Sequence, residues 1–173
     1  MPMLRSVSFL ALALVMLLSG MPRVLSAESH HHVFAAQLLG SHEVPPINTQ
    51  GSGALKLTIH DTSIDFELSY ADLSGAPAAA HIHFAQPRVN GGVMVFLCGG
   101  GGQPACPAAI SGTVTGTLTG ALVIGPAAQG VAVGDFDTLV VAIRSGEAYA
   151  NVHTSSFPAG EIRGQIHPEP RRK

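Results

Sequence analysis

Two segments of the chain carry histidines at a spacing that suits metal binding. His81 and His83 are separated by one residue, so both imidazoles project from the same face if this segment is an extended strand. The same alternation places Tyr149, Asn151 and His153 on one face of a second segment. If the two strands pair with these faces matched, cross-strand distances of about 5 Å bring three imidazoles together. Three nitrogen ligands suit copper or zinc, so His81, His83 and His153 are predicted metal ligands.

Other interpretations of these histidines stay open. They could be hydrogen-bonded residues that anchor the sheet, because an H-x-H pair alone is a weak signal. His42 and His60 are candidate further ligands, although an exposed turn histidine is a simpler account of each. A mononuclear copper redox enzyme would need a coordination position that solvent reaches, with Tyr149 beside the ligands. We predict no catalytic residues, because no serine or threonine stands in a Gly-x-Ser-x-Gly elbow or a similar context.

The first 27 residues have the pattern of a secretory signal peptide. Arg5 precedes an apolar run over residues 9–18, and the small residue Ala27 follows a polar stretch. The run is short for a membrane span, and a small residue is typical of a cleavage site. An uncleaved anchor helix is the alternative. We therefore expect an exported protein, whether periplasmic, cell-surface or secreted, with no membrane span once residues 1–27 are removed.

Cleavage after Ala27 would also create a metal-binding sequence at the new N-terminus. The chain would begin Glu28-Ser29-His30. The free amine, two backbone amide nitrogens and the imidazole of His30 can surround Cu(II) or Ni(II) in a square plane. His30 is therefore a further candidate metal ligand, within a tail of residues 28–32. A mobile polar tail that binds no metal is the alternative.

The only two cysteines, Cys98 and Cys106, stand on either side of a glycine-rich segment. An exported protein meets an oxidising compartment, so we predict a disulfide between them. A free thiol pair or two metal ligands are the alternatives.

The charge of the chain argues against one class of partner. The formal net charge is −2, and only 12% of the residues are charged. Nucleic-acid binding depends on a basic surface that neutralises phosphates. We therefore expect no nucleic-acid partner.

Short apolar runs punctuated by 20 glycines and 12 prolines indicate an all-β domain. Residues 54–59 and 64–70 alternate apolar and polar side chains around a polar turn, as in an antiparallel hairpin with one buried face. Residues 135–146 begin with aspartates, carry apolar residues at helical spacing and end in glycine, which predicts a short helix. Further strands are expected over 78–84, 92–97, 112–119 (with a glycine bulge), 147–154 and 161–167. The predicted fold is an antiparallel, Greek-key-like β-sandwich or barrel with one short helix.

The last of these strands carries an arginine that could form a structural clamp. Glu161 and Arg163 alternate with apolar residues. A guanidinium can form a bidentate pair with a carboxylate. We predict that Arg163 pairs with Glu161 or with Glu43, and that the three residues have a structural role.

Several motifs in order resemble the CHRD domain, which is named after chordin. They cover nearly all of the mature chain: Phe34–Gly40, Glu43–Pro46, Ala80–His83, Gly146–Thr154 and Pro158–Ile166. The resemblance implies an extracytoplasmic β-sandwich-like module over residues 33–168, followed by a polar tail at 169–173. In chordin the larger protein binds growth-factor ligands, so the resemblance supports fold and location better than function.

A fainter resemblance is to the copper/zinc superoxide dismutases, which also use an H-x-H pair for copper. No histidine lies between His83 and His153, so the bridging ligand and zinc loop of those enzymes have no counterpart here. The hypothesis favoured by the sequence is an exported binding module that holds copper or zinc. The alternative is an extracytoplasmic protein-interaction or cell-surface module whose histidines are purely structural.

Overall fold

The structure is a computed structural model, and it describes residues 32–169. The predicted signal peptide, His30 and nearly all of the polar C-terminal tail lie outside these residues. Within this range, no helix combines the length and the apolar character needed to cross a membrane.

The described part of the chain contains nine strands, one α-helix and three one-turn 3-10 helices. The strands are β1 (Val33–Leu39), β2 (Ser52–Ile59), β3 (Ile64–Ala71), β4 (Pro77–Phe84), β5 (Gly92–Cys98), β6 (Gly112–Leu118), β7 (Ala148–Thr154), β8 (Ile162–Gln165) and β9 (His167–Pro168). The helix is α1 (Phe136–Ser145), which precedes β7.

The strands form one antiparallel sheet in the order β5-β4-β7-β8-β1-β2-β3-β6, with β9 beside β1. The two end strands, β5 and β6, approach each other, so the sheet curls into a nearly closed barrel. The predicted antiparallel all-β fold with one short helix is confirmed. Of the two architectures that the sequence allowed, the barrel is the one observed.

Alternating side chains fill the barrel. In the β2–β3 hairpin, Leu57 lies opposite Phe66 and Leu55 opposite Leu68, and all four are buried. Each fully buried side chain of this kind contributes about 1.5–3 kcal/mol to folding. The hairpin confirms the period-2 pattern of the sequence.

The predicted helix is also confirmed, because its end signals are local. Asp135 caps the N-terminus by accepting a hydrogen bond from the backbone N–H of Thr138 at 3.0 Å. Gly146 ends the helix in a left-handed conformation at φ 76°. One face of α1 is buried through Leu139, Ala142 and Ile143.

Two details of the predicted strands were wrong. The single strand expected over 161–167 is divided at buried Ile166, because Gln165 pairs with β7 whereas His167 pairs with β1. The bulge expected in β6 is absent, since β6 pairs with β3 in unbroken register. Gly116 instead leaves room for the ring of Phe66, which a Cβ would approach to 2.8 Å.

The central strands β4 and β7 separate the core from a polar face. Ala80 and Ile82 of β4, with Ala150 and Val152 of β7, belong to the core and are fully buried. Because side chains alternate, the histidines of these strands project from the opposite, outer face. The inward side chains of these two strands are therefore mainly apolar, with Thr154 at the end of β7 as a buried polar exception.

Candidate metal centre

The three predicted histidines lie on two paired strands. His81 and His83 are on β4, and His153 is on the neighbouring strand β7. In the observed register His153 is opposite Ala79, so it is diagonal to His81 rather than directly across from it. An imidazole side chain is long enough to contact a residue at this diagonal position.

The ring nitrogens of these histidines converge. One nitrogen from each ring lies within 4.8 Å of the nitrogens of the other two. His81 Nδ1 and His153 Nε2 are the closest pair, 3.1 Å apart. The His81 and His83 ring centroids are 5.3 Å apart. The structure therefore brings together the set that the spacing predicted.

The hydrogen bonds of His153 leave one of its nitrogens available. Its Nδ1 lies 2.9 Å from the carbonyl oxygen of Pro158, and because a carbonyl only accepts, Nδ1 carries the hydrogen. In the neutral ring Nε2 is then a lone pair, and it accepts from His81 Nδ1. A metal ion could take the place of the hydrogen between these two nitrogens.

His83 has an oxygen atom at each ring nitrogen. Nδ1 is 3.0 Å from the carbonyl of Gly91, and Nε2 is 3.1 Å from Oδ1 of Asn151. The Asn151 amide is oriented by Glu43, whose Oε1 accepts from Nδ2 at 3.3 Å. A neutral His83 has a single N–H group, so whichever nitrogen donates, the lone pair of the other nitrogen faces an oxygen lone pair. A cation at that position would relieve the mismatch.

Burial keeps the three rings in the neutral form that binds metal. Desolvation lowers the pKa of His81 to about 3, with smaller contributions from His153 and His83. The pKa values of His83 and His153 are also lowered, mainly by desolvation. His81 is 9% exposed and His83 8% exposed, while His153 is half-buried. The cluster is therefore recessed but not sealed.

Aromatic rings hold the first two histidines in place. Phe96 of β5 meets His81 edge-on, with centroids 4.2 Å apart. Tyr149 stacks parallel to His83 at 4.7 Å, and the guanidinium carbon of Arg163 lies 3.4 Å from the Tyr149 centroid. Arg163, Tyr149 and His83 thus form a column of three stacked planar groups.

The other candidate metal ligands lie elsewhere. His60 is exposed and contacts Asp65, with Nε2 3.0 Å from Oδ2. His42 ends a one-turn 3-10 helix and is exposed. Neither belongs to the cluster, and His30 is outside the described residues.

The predicted disulfide is confirmed: Cys98 and Cys106 are bonded. The bridge closes a glycine-rich loop that covers Phe96. A Cβ at Gly100 or Gly101 would come within 2.5 Å of the Phe96 ring. Glycines are therefore needed for this loop to lie against the ring that packs on His81.

The predicted pairing of Arg163 with a carboxylate was wrong. The Arg163 guanidinium donates from Nη2 to the carbonyl of Val89 at 2.6 Å and from Nη1 to Oδ1 of Asn90 at 2.9 Å. Stacking on Tyr149 turns the guanidinium toward the β4–β5 turn, which supplies both acceptors. Glu161 precedes the first residue of β8, and its carboxylate points to a different part of the barrel.

Glu161 is a fully buried hydrogen-bond acceptor. It accepts from the hydroxyls of Thr49, Ser74 and Thr154 and from the backbone N–H of Ser74. Desolvation raises the pKa of Glu161, but these hydrogen bonds together lower it further, so the pKa lies below its ordinary value. The residue ties three separate segments together.

Asn151 and Phe96 contribute to the site in ways that the sequence reasoning missed. Asn151 was placed on the face of His153, but its position between His83 and Glu43 was not foreseen. The amide within the Tyr149–His153 segment was the available signal, because a buried amide needs partners. Phe96 gave no signal, since the β4–β5 register that places it opposite His81 is interrupted by irregularities.

Comparison with known families adds to this geometry. A family model described as the CHRD domain matches residues 34–166. The chain belongs to the CHRD family. No curated protein and no solved structure matches the chain. The CHRD match spans every strand from β1 to β8 together with all three clustered histidines, so the candidate metal centre lies within the CHRD domain itself. The likeness to copper/zinc superoxide dismutases rests on the H-x-H pair alone.

Proposed function

We propose that this CHRD domain is an exported module that binds copper or zinc through His81, His83 and His153. The observation that carries the proposal is the convergence of three neutral imidazoles, with one nitrogen from each within 4.8 Å of the others. Copper and zinc are the metals that a set of imidazole nitrogens suits.

The rings need only small movements to reach a coordination geometry. With metal–nitrogen bonds of about 2.0–2.1 Å, ligand nitrogens in a tetrahedral site are about 3.3 Å apart. His81 Nδ1 and His153 Nε2 already lie 3.1 Å apart, so the remaining adjustment falls on His83. Oδ1 of Asn151 faces His83 Nε2 and is a candidate fourth ligand.

Groups behind the ligands support the proposal. Metal-bound histidines commonly donate their second N–H to a carbonyl or carboxylate, which fixes the ring orientation. The carbonyls of Pro158 and Gly91 stand in this position for His153 and His83.

Export is supported by the N-terminal sequence pattern and by the disulfide. A signal-like segment precedes residue 28, and a disulfide persists in an oxidising compartment. N-terminal sequencing of the protein from the secreted or periplasmic fraction would test whether the chain is exported and cleaved. A protein that stays in the cytoplasm with residues 1–27 attached would contradict this part of the proposal.

Isothermal titration calorimetry tests metal binding: Cu(II) and Zn(II) are titrated into the purified metal-free protein. His30→Ser is included in every protein so that the N-terminal tail does not contribute. We expect one metal per chain, and a loss of affinity of at least about tenfold, or 1.4 kcal/mol, for His81→Asn, His83→Asn and His153→Asn.

A matched variant distinguishes the loss of a cluster histidine from the loss of any other histidine. His60→Asn removes an exposed histidine outside the cluster and should leave metal affinity unchanged. Binding that is absent at micromolar metal, or equal in the cluster variants and the wild type, would overturn the proposal.

A second candidate function is a protein-interaction module with structural histidines. It is favoured by the hydrogen bonds that already satisfy both ring nitrogens of His153. In that case His81→Ala should lower the melting temperature equally with and without metal. If the histidines bind metal, added metal should raise the melting temperature of the wild type much more than that of His81→Ala, because ligand binding stabilises the folded state.

A further inference from the structure

A cleft lies on the outer face of the barrel, separate from the three histidines. Its volume is about 620 Å³, within the range of small-molecule pockets. The buried Arg163 of β8 lies at its floor, Val44, Pro46 and Pro87 contribute apolar walls, and the exposed Gln37 of β1 also lines it. The cleft thus has the composition of a binding site, with apolar walls and a few polar groups.

The arginine on the floor is buried and has unused donors. Arg163 is 2% exposed, and no carboxylate of residues 32–169 forms a salt bridge with it. A guanidinium has five N–H groups. Two of them are bonded to Val89 and Asn90, which leaves three (five minus two) without a protein acceptor in the described part of the chain. A buried cation with free donors calls for an anionic partner.

The guanidinium is fixed before any ligand arrives. Tyr149 supports one face of it at 3.4 Å. Asn90 accepts from Arg163 and also donates to the carbonyl of Val44 at 3.1 Å. Asn90 therefore links Arg163 to the segment that carries Val44, and a preorganised site binds more tightly.

The other charged groups of the cleft define its preference. Arg88 is exposed at the rim and adds a second positive charge. Glu43 also lines the cleft, but its Oε1 accepts a hydrogen bond from Nδ2 of Asn151 at 3.3 Å, and it forms no salt bridge with Arg163.

We propose that this cleft binds a carboxylate group, held by the guanidinium of Arg163 with Arg88 at the rim. Planar, bidentate pairing with a carboxylate is the recognition to which a fixed arginine is best suited. The carboxylate could belong to a small organic acid or to the C-terminus of a peptide. The two sources share this chemistry and differ in what fills the apolar walls.

The test uses three probes in NMR titrations of the ¹⁵N-labelled protein: acetate, the tripeptide Ala-Ala-Ala, and the same tripeptide with an amidated C-terminus. We expect acetate and the free tripeptide to shift the amide signals of Val89 and Asn90 and the side-chain signal of Arg163. Tighter binding of the free tripeptide identifies a peptide terminus as the ligand, whereas equal binding identifies a small acid. Equal binding of the amidated and free tripeptides, or no shifts at millimolar concentration, would overturn the proposal.

Variants locate the binding site. Arg163→Lys keeps the charge but loses the planar fork, and should weaken binding by at least about tenfold. Arg163 is buried, so its substitution could also affect folding. Arg88→Gln changes an exposed residue instead, and it should weaken binding several-fold. Arg144→Gln, on the exposed side of α1, is the control. Unchanged affinity in both Arg88→Gln and a folded Arg163→Lys would refute the site.

Discussion

A neutral imidazole has one N–H group, yet His83 meets an oxygen atom at each ring nitrogen. Only one of the two oxygens can accept that hydrogen, and Asn151 presents its Oδ1 to His83 because its Nδ2 donates to Glu43. At the residue scale this mismatch distinguishes the cluster from a set of histidines that merely brace a sheet. The alternation of the sequence predicts which histidines share a face, but it does not show where their hydrogens point.

Glu161 is the residue whose loss should be most costly outside the core. Glu161→Gln removes a charged acceptor of four hydrogen bonds and should lower the free energy of unfolding by about 1.5–3 kcal/mol at neutral pH. Urea denaturation measures this change. Glu67→Gln, on an exposed position of β3, serves as the control and should have little effect.

The same substitution should also change the pH dependence of stability. The pKa of Glu161 lies below its ordinary value of 4.5 in the folded protein, so the unfolded chain binds more protons in this range. The stabilisation is present above pH 4.5 and is lost as the pH falls through the folded pKa. Denaturation curves of Glu161→Gln should lack this loss, and parallel profiles for variant and wild type would contradict the assignment.

At the scale of elements, local patterns were sufficient for the hairpin and the helix. Leu55, Leu57, Phe66 and Leu68 alternate within two adjacent strands, and Asp135 caps α1 within one turn. Such signals operate between near neighbours in sequence, so the sequence alone carries them.

The pairing of distant strands was harder to predict. That β4 lies beside β7 could be proposed from their matched polar faces, but the diagonal register of His153 could not, because a shift of two residues keeps the same side chains on the same face. The partner of Arg163 was missed for a similar reason, since the β4–β5 turn reaches it across 73 residues of sequence.

The glycine-rich loop gives a prediction at this scale. Replacing both Cys98 and Cys106 by alanine should lower the free energy of unfolding by about 2–3 kcal/mol, because the unfolded chain gains the entropy of an open short loop. The loop would also be released from Phe96, and so from the ring that supports His81. Chemical denaturation measures the first effect and metal affinity the second. A double variant with unchanged stability would contradict the prediction.

At the scale of the whole molecule, the barrel separates stability from binding. The strands β4 and β7 present mainly apolar side chains to the interior, while the cluster and the cleft share the outer face. The column of Arg163, Tyr149 and His83 connects the two sites directly. The outer face can therefore change without disturbing the packing of the interior.

The position of Tyr149 in that column gives the protein an optical probe of its own. The chain has no tryptophan and two tyrosines, and Tyr70 lies on β3, four strands from β7 in the sheet. Cu(II) bound at His83 should quench the ultraviolet emission of Tyr149 strongly, because the two rings are stacked. Tyr149→Phe should abolish the quenching and Tyr70→Phe should retain it, whereas the reverse pattern would place the copper elsewhere. Occupancy could thus be followed by fluorescence without any attached dye.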